Sequence, residues 1–200
     1  MKNTLLTSIT IAALLTGCAS SRMIEAVDQQ TAVPATDQAQ VIFMRPSSFG
    51  GAIQASLFDV TTDETEFIGI ISSGTQLSYM VEPGKHVFMV VSEAADFLEA
   101  DLSGGKTYYA TVNARMGAWR ARFSLYPVRN GAAGERQYDS DEFRGWMKKV
   151  KFVENTPESI AWFEENKADI KDKQVRYWSV WQEKTDDALG ERTLNPEDGI

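Results

Sequence analysis

The sequence predicts a mainly β protein: an antiparallel β-sandwich of about eight strands followed by a C-terminal α-helical extension. Two observations carry that prediction. Short apolar or alternating runs, each closed by turn residues, follow one another between residues 40 and 128, which is the spacing of strands in a sandwich or barrel. After a glycine-rich break at Asn130-Gly131-Ala132-Ala133-Gly134, the pattern becomes helical, and no Gly or Pro falls between residues 158 and 185.

The strands are read in order. Val41-Ile42-Phe43-Met44 is apolar on both faces and suits a central strand. Runs at 53–60 and 67–71 follow. Leu77, Tyr79 and Val81 then alternate with Gln76 and Ser78, as a half-solvated strand requires. Glu82-Pro83-Gly84-Lys85 is a turn, because Pro pre-sets φ at one central position and Gly accepts positive φ at the next. Val87-Phe88-Met89-Val90-Val91 and the run at 97–102 come next. Ser103-Gly104-Gly105 turns the chain into 106–114. Finally Trp119, Ala121, Phe123 and Leu125 line a face predicted for the core, opposite Arg120, Arg122, Ser124 and Tyr126.

In the tail, residues 139–150 predict a short helix. Thr156-Pro157-Glu158 is a helix start with an N-cap, Pro at the first position and an acid in the first turn. The stripe Ile160, Phe163, Ile170, Tyr177 and Trp181 is interrupted by Lys167 and Gln174, which fits docking on a domain better than a coiled coil. Residues 190–200 are expected to fray.

The N-terminus carries a different signal. Lys2 precedes an apolar run from Leu5 to Leu15, too short for a bilayer span of about 20 residues and patterned like a secretory signal. Leu15-Thr16-Gly17-Cys18 resembles the lipobox of bacterial lipoproteins. The resemblance implies a signal peptide over 1–17, cleavage before Cys18, and diacylglycerol and N-acyl groups (palmitate among them) on that cysteine. Ala19, where retention signals have Asp, implies the outer membrane in a diderm host. Residues 18–39 are expected to be the acylated cysteine and a flexible tether, with a mean reach of about 25 Å for 20 residues. The sandwich is expected over 40–128, and the helical extension with its frayed end over 129–200.

Composition narrows the classes. The formal charge is −8, which argues against nucleic acid as a partner and against electrostatic capture by anionic lipid. Membrane attachment is therefore expected through Cys18 alone. That residue is the sole cysteine, so no internal disulfide staples the fold and packing must hold it.

The strand region also resembles a family of bacterial lipoproteins built around a domain of unknown function. The matching pieces are Val41-Ile42-Phe43-Met44-Arg45-Pro46-Ser47-Ser48, Pro83-Gly84-Lys85-His86 and Gly105-Lys106-Thr107-Tyr108-Tyr109. Met44 departs from the aromatic usual there, and the helical tail lies outside the likeness. The resemblance implies a β-sandwich and an envelope location, and brings no catalytic residues.

Candidate chemistry is sparse. His86 is the only histidine and directly follows the predicted turn, so a structural role is expected. Neither a transition-metal set nor a catalytic triad can be assembled around it. Glu93, Asp96, Glu99 and Asp101 cluster in sequence, and Glu99 and Asp101 share a strand face. They are expected on a solvated face, the alternative being the carboxylate pair of a glycan hydrolase. Arg120 and Arg122 also share a face, with Arg115 and Arg129 near. Such a strip suits an anionic glycan, lipid or peptidoglycan carboxylate, but pairing across strands with Glu99 and Asp101 is favoured.

Trp162 and Trp178 lie off the main helical stripe and are the candidates for an exposed docking surface. The favoured reading has the helix bend near 169–174 and fold back to bury both. The role expected is a non-catalytic binding or structural module of the cell envelope, on the periplasmic face of the outer membrane. An envelope protein is its expected partner, and no cofactor or metal is expected. The alternative is an envelope glycan hydrolase.

Overall fold

Strand β2 (Ala39–Arg45) is buried along its whole length, and the reason organises the molecule. Val41 and Phe43 pack on one side with Leu57, Phe88, Val90 and Leu98. Ile42 and Met44 pack on the other with Tyr109, Phe143, Val150 and Phe152. Successive side chains of a strand point to opposite faces, so a strand apolar on both must be covered on both. The computed structural model describes residues 22–115, 122–131 and 136–200. Within them, a helix, two sheets and a second helical segment lie in four layers.

β1 (Met23–Glu25) precedes β2 in the chain. Next come β3 (Ala55–Asp59), β4 (Glu66–Ile71), β5 (Thr75–Val81) and β6 (Gly84–Val91). β7 (Ala95–Leu102), β8 (Thr107–Arg115) and β9 (Arg122–Pro127) complete the predicted strand region. The tail adds α1 (Asp141–Met147), β10 (Lys151–Asn155), α2 (Pro157–Gln182), α3 (Asp186–Gly190) and β11 (Thr193–Leu194).

The protein is mainly β, with two mixed sheets and a C-terminal helix, which corrects the antiparallel, eight-stranded expectation. One sheet has the order β1-β10-β5-β2-β8-β9 and the other β11-β7-β6-β3-β4. β2 runs parallel to β8, β10 to β5, and β11 to β7. The β2–β8 pair is parallel because the chain leaves the first sheet after β2 and finally re-enters it beside β2 from the second sheet, while the other two parallel pairs are made by tail strands. The Pro83-Gly84 turn joins β5 in one sheet to β6 in the other, so it is no hairpin. Gly105, at φ 73°, completes the return crossing from β7 to β8 in a conformation that favours glycine.

The tail is built into both sheets. β10 enters the first and β11 edges the second, so the expectation of a purely helical extension is replaced. Nor does the end fray. Arg129 ties down Asp198 at 2.6 Å, and the Thr107 and Ile200 backbones exchange hydrogen bonds of 2.8 and 3.0 Å. Gly199 lies so close to Tyr108 that a Cβ there would be 2.5 Å from the ring.

The expected tether is likewise partly structured. Met23 is buried in the inter-sheet core, the Ala26 amide donates to Phe152 O at 2.9 Å, and the Gln29 side chain bonds the backbone of Phe152 twice. Among the core predictions, Phe123 and Leu125 are buried. Trp119 lies outside the described residues.

Helix α2 lies on the outer face of the second sheet. Its Phe163, Ile170 and Trp181 pack with Phe58, Val60, Met89 and Phe97. The Thr156 hydroxyl accepts from Ser159 N and the Ser159 hydroxyl accepts from Thr156 N, a reciprocal cap that fixes the start. The helix then runs unbroken for 26 residues, about 39 Å, without the expected fold-back at 169–174. Thr65 bonds Gln174 on one side, and Lys173 donates to Ser92 O on the other.

Candidate functional site

Three polar or open features could carry function: a histidine–carboxylate network, a buried arginine–aspartate network, and two grooves beside α2.

The first lies where β3 ends against β6 and β5. His86 Nδ1 stands 3.3 Å from Asp59 Oδ2, and Nε2 is 2.9 Å from Glu82 O. Thr61 donates its hydroxyl to Asp59 Oδ1 and accepts from the Val87 amide at 3.0 Å. Tyr79 reaches across from the first sheet and donates to Glu66 at 2.7 Å. Burial works against a charged His86, but the hydrogen bond and charge of Asp59 outweigh it and hold its pKa above the ordinary value. Burial likewise opposes the Asp59 carboxylate, but His86 and Thr61 outweigh it and hold its pKa below the ordinary value. Burial, then Glu66 and Asp59, push the Tyr79 phenol well up. Each ring nitrogen stands beside an oxygen of the network, Nδ1 by Asp59 Oδ2 and Nε2 by Glu82 O. The network is a clamp between sheets. Sequence reading placed His86 in a structural role but missed Asp59, because nothing in the linear pattern links a strand end to a turn 27 residues away.

The second network centres on Asp96, which sequence reading placed on a solvated face. It is buried. Arg192 donates to it at 2.8 Å, Arg115 at 3.3 Å, and Ser124 donates its hydroxyl. Arg192 also donates to the carbonyls of Leu125 and Phe97, and its guanidinium lies over the rings of Tyr126 and Trp181.

The expected pairing of the arginine strip with Glu99 and Asp101 is not found among the described residues. Glu99 instead accepts from Trp181 Nε1 at 2.9 Å, and Asp101 faces Lys85 in the β6–β7 register. Arg122 is exposed at the start of β9, opposite Arg115. Arg120 and Cys18 lie outside the described residues. Arg45, unremarked in sequence reading beyond the family motif, is fully buried. It donates to the carbonyls of Ile53 and Gly50 at 2.6 and 2.7 Å and sits 4.4 Å from the Phe123 ring. It thereby closes the 46–53 loop.

The third feature is the pair of grooves. Trp162 lines one of about 280 Å³ with Arg22, Gln54, Ser56, Asn166 and Lys173. Trp178 lines the other, of about 560 Å³, with Thr61, Thr62, Lys171, Gln174 and Val175. Both indoles are partly buried. Trp178 meets Phe97 edge-on at 5.0 Å, and Trp162 tilts against Phe67 at 6.1 Å. The helix is therefore neither a bare interface nor a sealed lid: one flank of each indole packs on the core while the groove remains open beside it. Neither Glu99 nor Asp101 lines either groove.

Among the described residues no three His, Cys, Asp or Glu side chains are gathered to hold a metal ion. No described helix is long and apolar enough to cross a membrane. No protein-family model matches the chain, and no curated protein matches it.

Proposed function

We propose that this chain is a lipid-anchored, non-catalytic binding or structural module of the bacterial cell envelope, attached through Cys18 to the periplasmic face of the outer membrane. The two facing sheets are read as an elaborated β-sandwich that carries α2 as its recognition element. The observation that carries the binding role is the placement of Trp162 and Trp178 in grooves on the two flanks of α2. Tryptophan concentrates binding energy when a partner covers it, and a groove with mixed apolar and hydrogen-bonding walls suits a protein surface. Two further points support the reading. The His86 and Asp96 clusters bond within themselves, and Glu99, one of the two carboxylates that a glycan hydrolase would use, accepts from Trp181 Nε1.

Palmitate labelling of the wild type, lost in Cys18→Ser, tests the anchor. Crosslinking followed by purification tests the binding role. Trp178→Ala is expected to abolish a crosslinked envelope partner while circular dichroism stays unchanged. Loss of in vivo complementation in the Glu99→Gln, Asp101→Asn double variant, with partner capture intact, would favour the hydrolase instead.

A further inference from the structure

The described chain does not start at the end of a long spacer. Arg22 is fixed, because its carbonyl accepts from the Thr156 hydroxyl at 2.6 Å and its guanidinium lies 5.8 Å from the Trp162 ring. Met23 follows directly into the core as part of β1, paired with Asn155. Only Ala19, Ser20 and Ser21 separate Cys18 from Arg22. Four residue steps span at most about 14 Å however they are arranged. A domain of this size has a radius of gyration of about 16 Å. The leash is shorter than the body it holds, so the body cannot turn its far side to whatever Cys18 is embedded in.

The surface around the leash end has the chemistry of a bilayer contact. Ile24, two residues on, is 53% exposed, and Ile160, one helical turn past Thr156, is 45% exposed. Ile24 lies in β1 just past Arg22, and the Thr156 hydrogen bond sets the first turn of α2, which carries Ile160, beside Arg22. Arg22 offers a guanidinium to phosphate, and the indole of Trp162 beside it is a side chain suited to the headgroup level. The acids Glu25, Glu154 and Glu158 stand on the same elements, which points to contact through apolar and zwitterionic groups rather than through anionic lipid.

We propose that the end of the molecule formed by Arg22, Ile24, Ile160 and Trp162 faces and touches the phospholipid bilayer, leaving the C-terminal half of α2 standing away from it. This rests on the reading of Cys18 as the lipid-bearing residue. It assigns the two grooves different settings: the Trp162 groove opens at the membrane, and the Trp178 groove is presented to the periplasm.

Purified full-length lipidated protein, reconstituted into phosphatidylcholine vesicles carrying a headgroup-linked nitroxide, tests the orientation. A fluorophore is placed in turn on Ile24→Cys, Ile160→Cys and Val180→Cys, all exposed positions whose replacement spares the core. Val180 lies 20 residues beyond Ile160, about 30 Å along the helix. Quenching is expected to be several-fold stronger at 24 and 160 than at 180. Equal quenching at the three positions, or strongest quenching at 180, overturns the orientation. Mass analysis of the N-terminal peptide separates the two failures. If Cys18 carries acyl chains and the labels do not differ, the orientation alone falls. If Cys18 is unmodified, the anchor and the orientation fall together.

Discussion

Arg192 and Asp96 meet at 2.8 Å with both side chains buried, across a sequence separation of 96 residues. This contact ties the last segment of the chain to the start of β7, and Ser124 of β9 joins the same carboxylate from the first sheet. Three parts of the molecule thus meet on one aspartate.

Removing one member of such a pair leaves an uncompensated charge in the interior. Arg192→Ala is expected to cost about 3–5 kcal/mol of stability in chemical denaturation. Arg115 approaches the same carboxylate from a half-exposed position, so Arg115→Ala is expected to cost only about 0–1 kcal/mol. Equal losses would mean that the burial of Arg192 does not set the strength of the contact.

The His86–Asp59 clamp gives stability a pH window. The pKa of His86 is raised in the fold, so its contribution is complete below about pH 6.5 and disappears as pH rises through the folded value. The pKa of Asp59 is lowered, so its contribution is present above about pH 4 and disappears as pH falls through the folded value. The pair therefore supports the fold most between those limits. Since the chain has one histidine, melting temperature should fall as pH rises above about 6.5 in the wild type, and this slope should be absent in His86→Gln. A slope that survives the substitution would assign the titration elsewhere.

Phe163 stacks on Phe67 at 5.0 Å and touches Phe58. Phe163→Ala should cost about 3–5 kcal/mol, whereas Ile160→Ala, one turn earlier and exposed, should stay within about 0.5 kcal/mol. Reversal of that order would show that α2 presents a different face to the sheet.

Gly199 leaves no room for a side chain against Tyr108. Gly199→Val should lift the C-terminal segment from β8. Faster hydrogen exchange at the Thr107 and Ile200 amides, which pair in the wild type, is the expected result. Unchanged protection there would mean that the tyrosine ring gives way instead.

What could be read from the sequence was what depends on neighbours in the chain. The two-sided apolar pattern of 41–44 announced a covered central strand, and Thr156-Pro157 announced the start of α2. The partners of those elements were not legible. Glu82-Pro83-Gly84-Lys85 fixes a tight turn but not whether its strands share a sheet, and here they do not. Met23–Glu25 and Lys151–Asn155 carry weak strand patterns and form only by pairing with each other and with β5. Among candidate site residues, Trp162 and Trp178 were singled out because their helical phase sets them off the buried stripe. Asp59 and Arg192 were missed because their partners lie far away in sequence.

The placement of β10 and β11 has a consequence for how the protein comes into being. Each sheet takes a strand from the tail, and β11 ends only at residue 194. A chain emerging from the ribosome lacks these pieces until residues 151–155 and 193–194 have appeared. Pairings between residues so far apart form late, after the loop entropy between them has been overcome. The nascent chain is thus held back from premature folding by its own topology, and β11 joins its sheet only after every other strand of that sheet has been made.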